Sequence, residues 1–359
     1  MDGFAARVGV ATIRCSHRPA CLAVAREGGW PVLSRAGVVG KRRPQGRGYT
    51  TATAAGQTER LFTMQKVTVR VPGSTSNLGP GFDCLGVALR IYNIVTVIRG
   101  ASRYSHSRIV LEAADRFFKQ VRRHAFPFSC SIVEQVPRCR GLGSSATVRL
   151  GILLALNRLS RDPLDRITLF RLCAELEGHP DNAAPASLGG FSVVGSARCA
   201  DSRKPSGQRG VPTVQRFDVA SRLYFVLLVP ELEIQTESAR RVLPSKISRI
   251  AAAENCANAC ALTAAFASQD YEKLRGTFTD YLHQPFRSKL IPFLRRVIAA
   301  AENAGALGAF LSGSGSTVAA VTLHAPKKVA AAMARAASAP VRTIITRADN
   351  RGARTLINH

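Results

Sequence analysis

The chain has 359 residues, with 50 Lys/Arg against 23 Asp/Glu and a net charge of +27. No apolar run approaches the ~18 residues of a membrane-spanning helix, so a membrane role is not expected, and the length accommodates two domains that each bury a core. A basic balance of this size can attract nucleic acid, but no RNA-binding motif or interleaved aromatic pattern accompanies it, and net charge alone is a weak signal. Nine cysteines lie at irregular spacing without a CxxC. That usage points to free thiols in a reducing compartment, not to a disulfide framework or a zinc site.

Residues 1–63 carry ten Lys/Arg and three Asp/Glu and fit no globular pattern. Two readings stay open, an organelle transit segment and an over-extended start ahead of Met64. From Met64 the alternation of MQKVTVRVPG predicts a strand.

That strand leads into VPGSTSNLGPGFDCLGVAL, Val71 to Leu89. Its density of Gly and Pro predicts a rigid loop outside regular structure, with Asn77 and Asp83 at its rim, either a substrate-recognition loop or a structural turn. Pro137 to Ala146, PRCRGLGSSA, precedes a helical pattern with Val148, Ile152, Ala155 and Leu159 on one face. A Gly-Ser loop opening a helix offers unpaired N–H groups and the positive dipole end, so it reads as a phosphate site or as a simple cap. No Walker A pattern occurs.

A further helix is expected from Asp162-Pro163, with Leu164, Ile167, Phe170, Cys173 and Leu176 as its apolar face and Gly178 at its end. Glu177, His179, Asp181 and Asn182 then crowd into six positions. A carboxylate beside a phosphate loop suits Mg²⁺, which takes oxygen donors. His179 alone could be structural, and Asp181-Asn182 alone a turn. Residues 197–213 read as an exposed connection and a domain boundary. Beyond them, Leu223 to Val229 reads as a buried strand, and Thr236 as the cap of a short helix that carries Glu237 and Arg240. Arg287 follows in YLHQPFR, and a second glycine-rich loop, LSGSGST, spans Leu311 to Thr317. Taken singly, the two arginines read as surface helix charge.

Together and in this order, SxSNLGPGFDCLGVAL, GLGSSA, EGHPDN and SGSGST resemble the GHMP small-molecule kinases, and within them the homoserine kinase family. The resemblance runs from about Met64 to the C-terminus. It implies an α+β, two-domain fold: a ribosomal-protein-like N-terminal ATP-binding domain over 64–213 and a ferredoxin-like C-terminal domain over 214–359, with 1–63 outside both. It implies ATP as co-substrate, Mg²⁺, and L-homoserine as the small-molecule acceptor in threonine biosynthesis. Arg140, Gly141, Leu142, Gly143, Ser144, Ser145 and Ala146 would bind ATP, with Ser145 and Glu177 as metal ligands. Asn77, Asp83, Thr236, Arg240 and Arg287 would bind the acceptor. Asp181, Asn182 and His179 would serve the chemistry, a base being uncertain, and Gly313, Ser314 and Gly315 would support the phosphate loop. A cytoplasmic enzyme without nucleic-acid or membrane partners is expected, unless residues 1–63 target an organelle, and a homodimer is one expected assembly. Another GHMP kinase, of mevalonate or sugar type, and an RNA-binding protein remain the alternatives. Three positions depart from the family pattern: Arg138 and Cys139 before the phosphate loop, and Ser316, whose replacement of a usual proline should loosen the last loop.

Overall fold

Val67, Val69 and Val71 alternate with Lys66, Thr68 and Arg70, and this period of two buries one face of β1 (Lys66–Asn77). In the computed structural model, which describes residues 66–100, 106–195 and 213–356, β1 pairs antiparallel with the long β2 (Gly81–Arg99). The register runs from Lys66 opposite Ile98 to Asn77 opposite Gly81, with shifts after Pro72 and Ser76. The Gly/Pro-rich segment is therefore mostly strand, which corrects the expectation of an irregular loop. Pro72 is tolerated because it falls at a register shift, where a ladder hydrogen bond is lost in any case. Only Leu78–Pro80 turns, entered through left-handed Asn77 and Leu78 (φ 70° and 45°).

The chain continues through α1 (Arg108–Val121), β3 (Phe128–Glu134), α2 (Ser144–Leu159), α3 (Arg166–Glu177), α4 (Ala183–Leu188), β4 (Phe191–Val194) and β5 (Val214–Phe217). The first sheet has the order β10-β1-β2-β4-β5, with β3 added to β2 and with β10 (Arg354–Leu356) returning from the C-terminus. Helices α1 to α4 pack on one face of this sheet, and Phe117, Phe170, Leu153 and Val95 are among the residues of that core.

The second sheet collects β6 (Tyr224–Pro230), β7 (Gly308–Leu311), β8 (Val318–Thr322) and β9 (Val341–Arg347) in the order β7-β8-β6-β9. This is the ferredoxin-like arrangement. Along the way lie α5 (Thr236–Arg241), α6 (Arg249–Ser268), α7 (Gln284–Arg287), α8 (Leu294–Asn303) and α9 (Pro326–Ala337). On β6, Val226 and Leu228 face α8 and α9, while Phe225 and Leu227 face a core shared with the first sheet. In that shared core Phe191 of β4 stacks on Phe266 of α6 at 4.4 Å.

Three local expectations are corrected. Helix α3 begins at Arg166, capped by Asp165, whose side chain accepts the Thr168 N–H at 2.7 Å. Asp162 instead closes the turn after α2, in left-handed conformation and ion-paired with Arg158. The buried face accordingly shifts to Leu169, Phe170, Leu172 and Cys173, and Ile167 is exposed. Gln235 takes the cap position of α5, and Thr236 is its first residue. The sheets also do not divide at residue 213: β5 and β10 both belong to the first sheet. The expected extension 1–63 and residues 197–212 of the expected connection lie outside the described residues.

Candidate active site

The phosphate loop is held by strands and loops from both sheets. Leu142 accepts the Ser74 N–H at 3.0 Å, and Gly141 accepts the Ser312 hydroxyl at 2.7 Å. Ser76 accepts the Gly313 N–H, and Thr75 and Ser312 share a hydroxyl contact at 2.8 Å. Gly141 and Gly143 both have positive φ, and a Cβ at either would sit 2.0 Å from Ser312 O or 2.3 Å from Ser74 Oγ. Glycine is thus required twice, for conformation and for closeness. The loop delivers the chain into α2 at Ser144, and the first N–H groups of α2 have no intrahelical acceptor. Gly313 and Gly315 stand against Gly141 of this loop, and Ser314 lines the cleft beside it.

Around the loop opens a cleft of about 540 Å³. Ser145 Oγ donates to Glu177 Oε2 at 2.7 Å, so helices α2 and α3 bring a hydroxyl and a carboxylate together. Glu177 also pairs with Arg149, whose other end reaches Glu112 at 3.4 Å. Arg149 was not expected here. Its position one turn past Ser145 is the signal that could have found it.

His179 Nδ1 lies 2.9 Å from Asp181 Oδ1. Burial alone would push His179 down, but the hydrogen bond and charge of Asp181, with Glu177 behind, hold it above its ordinary value. Burial would raise Asp181, yet His179, Ser76 and Arg240 keep its carboxyl below the usual range. Asn182 accepts from Ser74 Oγ at 2.8 Å and donates to Ser76 Oγ at 3.1 Å, so both ends of its amide are held by β1.

Asn77, Asp83, Thr236, Arg240 and Arg287, the residues expected to bind the acceptor, all line this cleft. Asp83 pairs with Arg240 at 2.7 and 3.0 Å. Asn77 is spent on the fold: it accepts the Asp83 N–H at 3.0 Å and donates to Gly313 O at 2.9 Å. It therefore shapes the pocket that Asp83 faces, with one amide N–H and one carbonyl lone pair engaged. Arg287 is buried, and burial together with Arg240 pulls it down to about 10. Both arginines lie over the Phe82 ring, at 5.5 and 5.3 Å.

Three further positions take a different place from the one expected. The Arg140 guanidinium is tethered to the carbonyls of Pro230 and Glu231, at 2.8 and 3.1 Å, which anchors the loop to β6 and commits that side chain to protein. Arg138 pairs with Glu134, and both line the cleft. Ser316 does not loosen its loop: it is fully buried and its hydroxyl donates to Leu232 O. Cys139 fits, in left-handed conformation at φ 50°. Ile109, Ile132, Val148 and Leu176 supply an apolar wall from α1, β3, α2 and α3 that the motifs did not reveal.

Fold and site define a two-domain small-molecule kinase. Residues 108–190 match the GHMP kinases N terminal domain, and residues 262–339 match GHMP kinases C terminal. The chain is 36% identical over 310 residues to homoserine kinase of Carboxydothermus hydrogenoformans, covering 82% of this chain and 98% of that protein. It is 37% identical to homoserine kinase of Moorella thermoacetica, covering 75% and 91%. The crystal structure of homoserine kinase from Cytophaga hutchinsonii superposes with a TM-score of 0.72 over 82% of this chain and 98% of that one, at 24% identity, a likeness of fold. The chain belongs to the homoserine kinase family of the GHMP kinases.

Proposed function

We propose that this chain transfers the γ-phosphoryl group of ATP to the side-chain hydroxyl of L-homoserine, giving O-phospho-L-homoserine for threonine biosynthesis. The observation that carries the acceptor is the pairing of Asp83 with Arg240 beside buried Arg287. An α-amino acid brings an ammonium and a carboxylate, and this end of the cleft offers a carboxylate and two guanidinium groups. Mevalonate has no ammonium for Asp83, and a hexose has neither that group nor a carboxylate for buried Arg287, whose guanidinium edge would lose water without gaining a partner.

In this reading the loop N–H groups from Gly141 to Ala146 hold the phosphates at the start of α2. The apolar wall of Ile109, Ile132, Val148 and Leu176 seats the base. Ser145 and Glu177 supply hard oxygen donors fitted to Mg²⁺, which neutralises charge on the phosphates when bound. Among the described residues no cluster of three His, Cys, Asp or Glu competes for that assignment. Asp181 and His179 face the acceptor hydroxyl as a hydrogen-bonded pair. Ionised Asp181 can accept its proton, and Asn182, locked by two serines, fixes their placement. Phosphoryl transfer is mostly positioning and charge stabilisation, so orientation by these groups is the larger contribution.

The alternative of an RNA-binding protein loses its motive once Glu177 stands beside the phosphate loop. A cytoplasmic setting belongs to the same proposal, supported by six free cysteines among the described residues. No helix among them is long and apolar enough to cross a membrane. The test is a coupled ADP-release assay with L-homoserine, followed by mass detection of the phosphorylated product. ATP turnover without O-phospho-L-homoserine would refute the proposal.

A further inference from the structure

Arg287 faces the cleft from an enclosed position, 2% exposed, and three of its five N–H bonds are already engaged. Nε–H donates to Ala239 O at 3.1 Å, and Nη1–H donates to Gly313 O at 2.9 Å. The second Nη1–H points to Nδ1 of His283 at 3.3 Å. Nη2 has no hydrogen bond among the described residues, so that edge is left for a ligand.

His283 precedes Arg287 by one helical turn and is fully buried. Its Nε2 lies 2.9 Å from the carbonyl oxygen of Gly79. A carbonyl only accepts, so Nε2 carries the proton. An arginine only donates, so Nδ1 presents its lone pair. Two independent neighbours thus require the same neutral tautomer. Phe82 stacks on the ring at 5.3 Å, and Asp280 lies 3.4 Å from Nε2 while accepting the N–H groups of Leu282, His283 and Gln284. Burial holds the imidazole down at about 4, against the pull of Asp280.

We propose that His283 is a positioning residue for the acceptor's carboxylate. Its Nδ1 lone pair orients Arg287 so that Nη2 faces the cleft, and its Nε2–H, given to the carbonyl oxygen of Gly79, holds the tautomer that supplies that lone pair. The inference rests on the reading of homoserine as acceptor and deepens it.

Two variants separate the ring's two nitrogens. The Oδ1 of His283→Asn can replace the Nδ1 acceptor, and the Nε2 of His283→Gln can replace the Nε2 donor. Both remove the ring, so both lose a similar amount of packing. His283→Gln is expected to raise the KM for L-homoserine about tenfold with kcat and the KM for ATP little changed, and His283→Asn to stay within about threefold of wild type. Preference for L-homoserine over 3-aminopropan-1-ol, which lacks the carboxylate, should fall about tenfold in the Gln variant only. Equal homoserine KM values in the two variants, whether raised or unchanged, overturn the proposal. If neither variant folds, ¹⁵N NMR of the wild-type histidines decides: a protonated Nδ1 on His283 overturns it, and an unprotonated Nδ1 supports it. A wild-type enzyme with no activity on L-homoserine would instead defeat the acceptor reading itself, leaving the tautomer as found.

Discussion

Asp83 of β2 and Arg240 of α5 meet as a two-point ion pair, with contacts of 2.7 and 3.0 Å joining the first sheet to the second. Both side chains are more than a third exposed, 36% and 38%, so the pair contributes little to stability, about 1 kcal/mol or less. In the proposed function its value lies in orientation, because it holds a carboxylate and a guanidinium together in the cleft for an ammonium and a carboxylate to engage.

Arg240→Ala is therefore expected to lower kcat/KM for L-homoserine by roughly ten- to a hundredfold. The loss should be smaller for 3-aminopropan-1-ol, and the melting temperature should move by only about 2 °C. An equal loss for both acceptors would take Arg240 off the carboxylate.

Glu177→Gln keeps the shape of the side chain and removes its charge. Turnover should fall by about a hundredfold or more, with the circular dichroism spectrum unchanged. Near-normal turnover at the same magnesium dependence would remove Glu177 from the metal site.

Arg149 holds one oxygen of Glu177 in a nearly enclosed pair, the two side chains being 17% and 5% exposed. A metal ion must compete with that guanidinium. Arg149→Met should tighten Mn²⁺ binding to the enzyme–nucleotide complex, read by electron paramagnetic resonance, by roughly three- to tenfold. Weaker Mn²⁺ binding would mean that Arg149 prepares the carboxylate and does not compete for it.

His179 gives a pH dependence of fixed sign. Its folded value is raised above 6.5, so its contribution to stability is fully present below 6.5 and fades as pH rises through the folded value. Asp181 is held low, so its own contribution is lost only toward acid, below its ordinary 3.8. The melting-temperature gap between wild type and His179→Gln should be widest near pH ~6 and narrow by pH ~9. A gap that widens with pH would contradict the His179–Asp181 pair.

The glycine loops were legible in sequence because each carries chemistry in its own residue types: Gly141 and Gly143 for close approach, Ser145 for a hydroxyl at a helix start. Glu177 was legible from its neighbours. Arg149, His283 and the apolar wall were not, because their roles depend on which helix meets which. An arginine on α2 looks like surface charge until α3 brings Glu177 against it. The backbone partners of Asn77 and Arg140 were not legible either, Gly313 O for one and the carbonyls of Pro230 and Glu231 for the other, because a sequence does not show which carbonyls the fold brings alongside. The helix start at Asp165 was misplaced because Asp162 is an equally good cap residue. The Asn157 side chain, bonded to Leu164 N–H and O at 3.0 Å, and left-handed Asp162 show that the intervening residues form a turn.

In the proposed function this cleft selects an amino acid by its two charges. The most direct measurement is kcat/KM for L-homoserine, 3-aminopropan-1-ol, mevalonate and galactose, taken on one preparation at saturating ATP. L-homoserine is expected first, with the decarboxylated amine about ten- to a hundredfold lower and the other two lower again. Mevalonate or galactose phosphorylated faster than L-homoserine would contradict it.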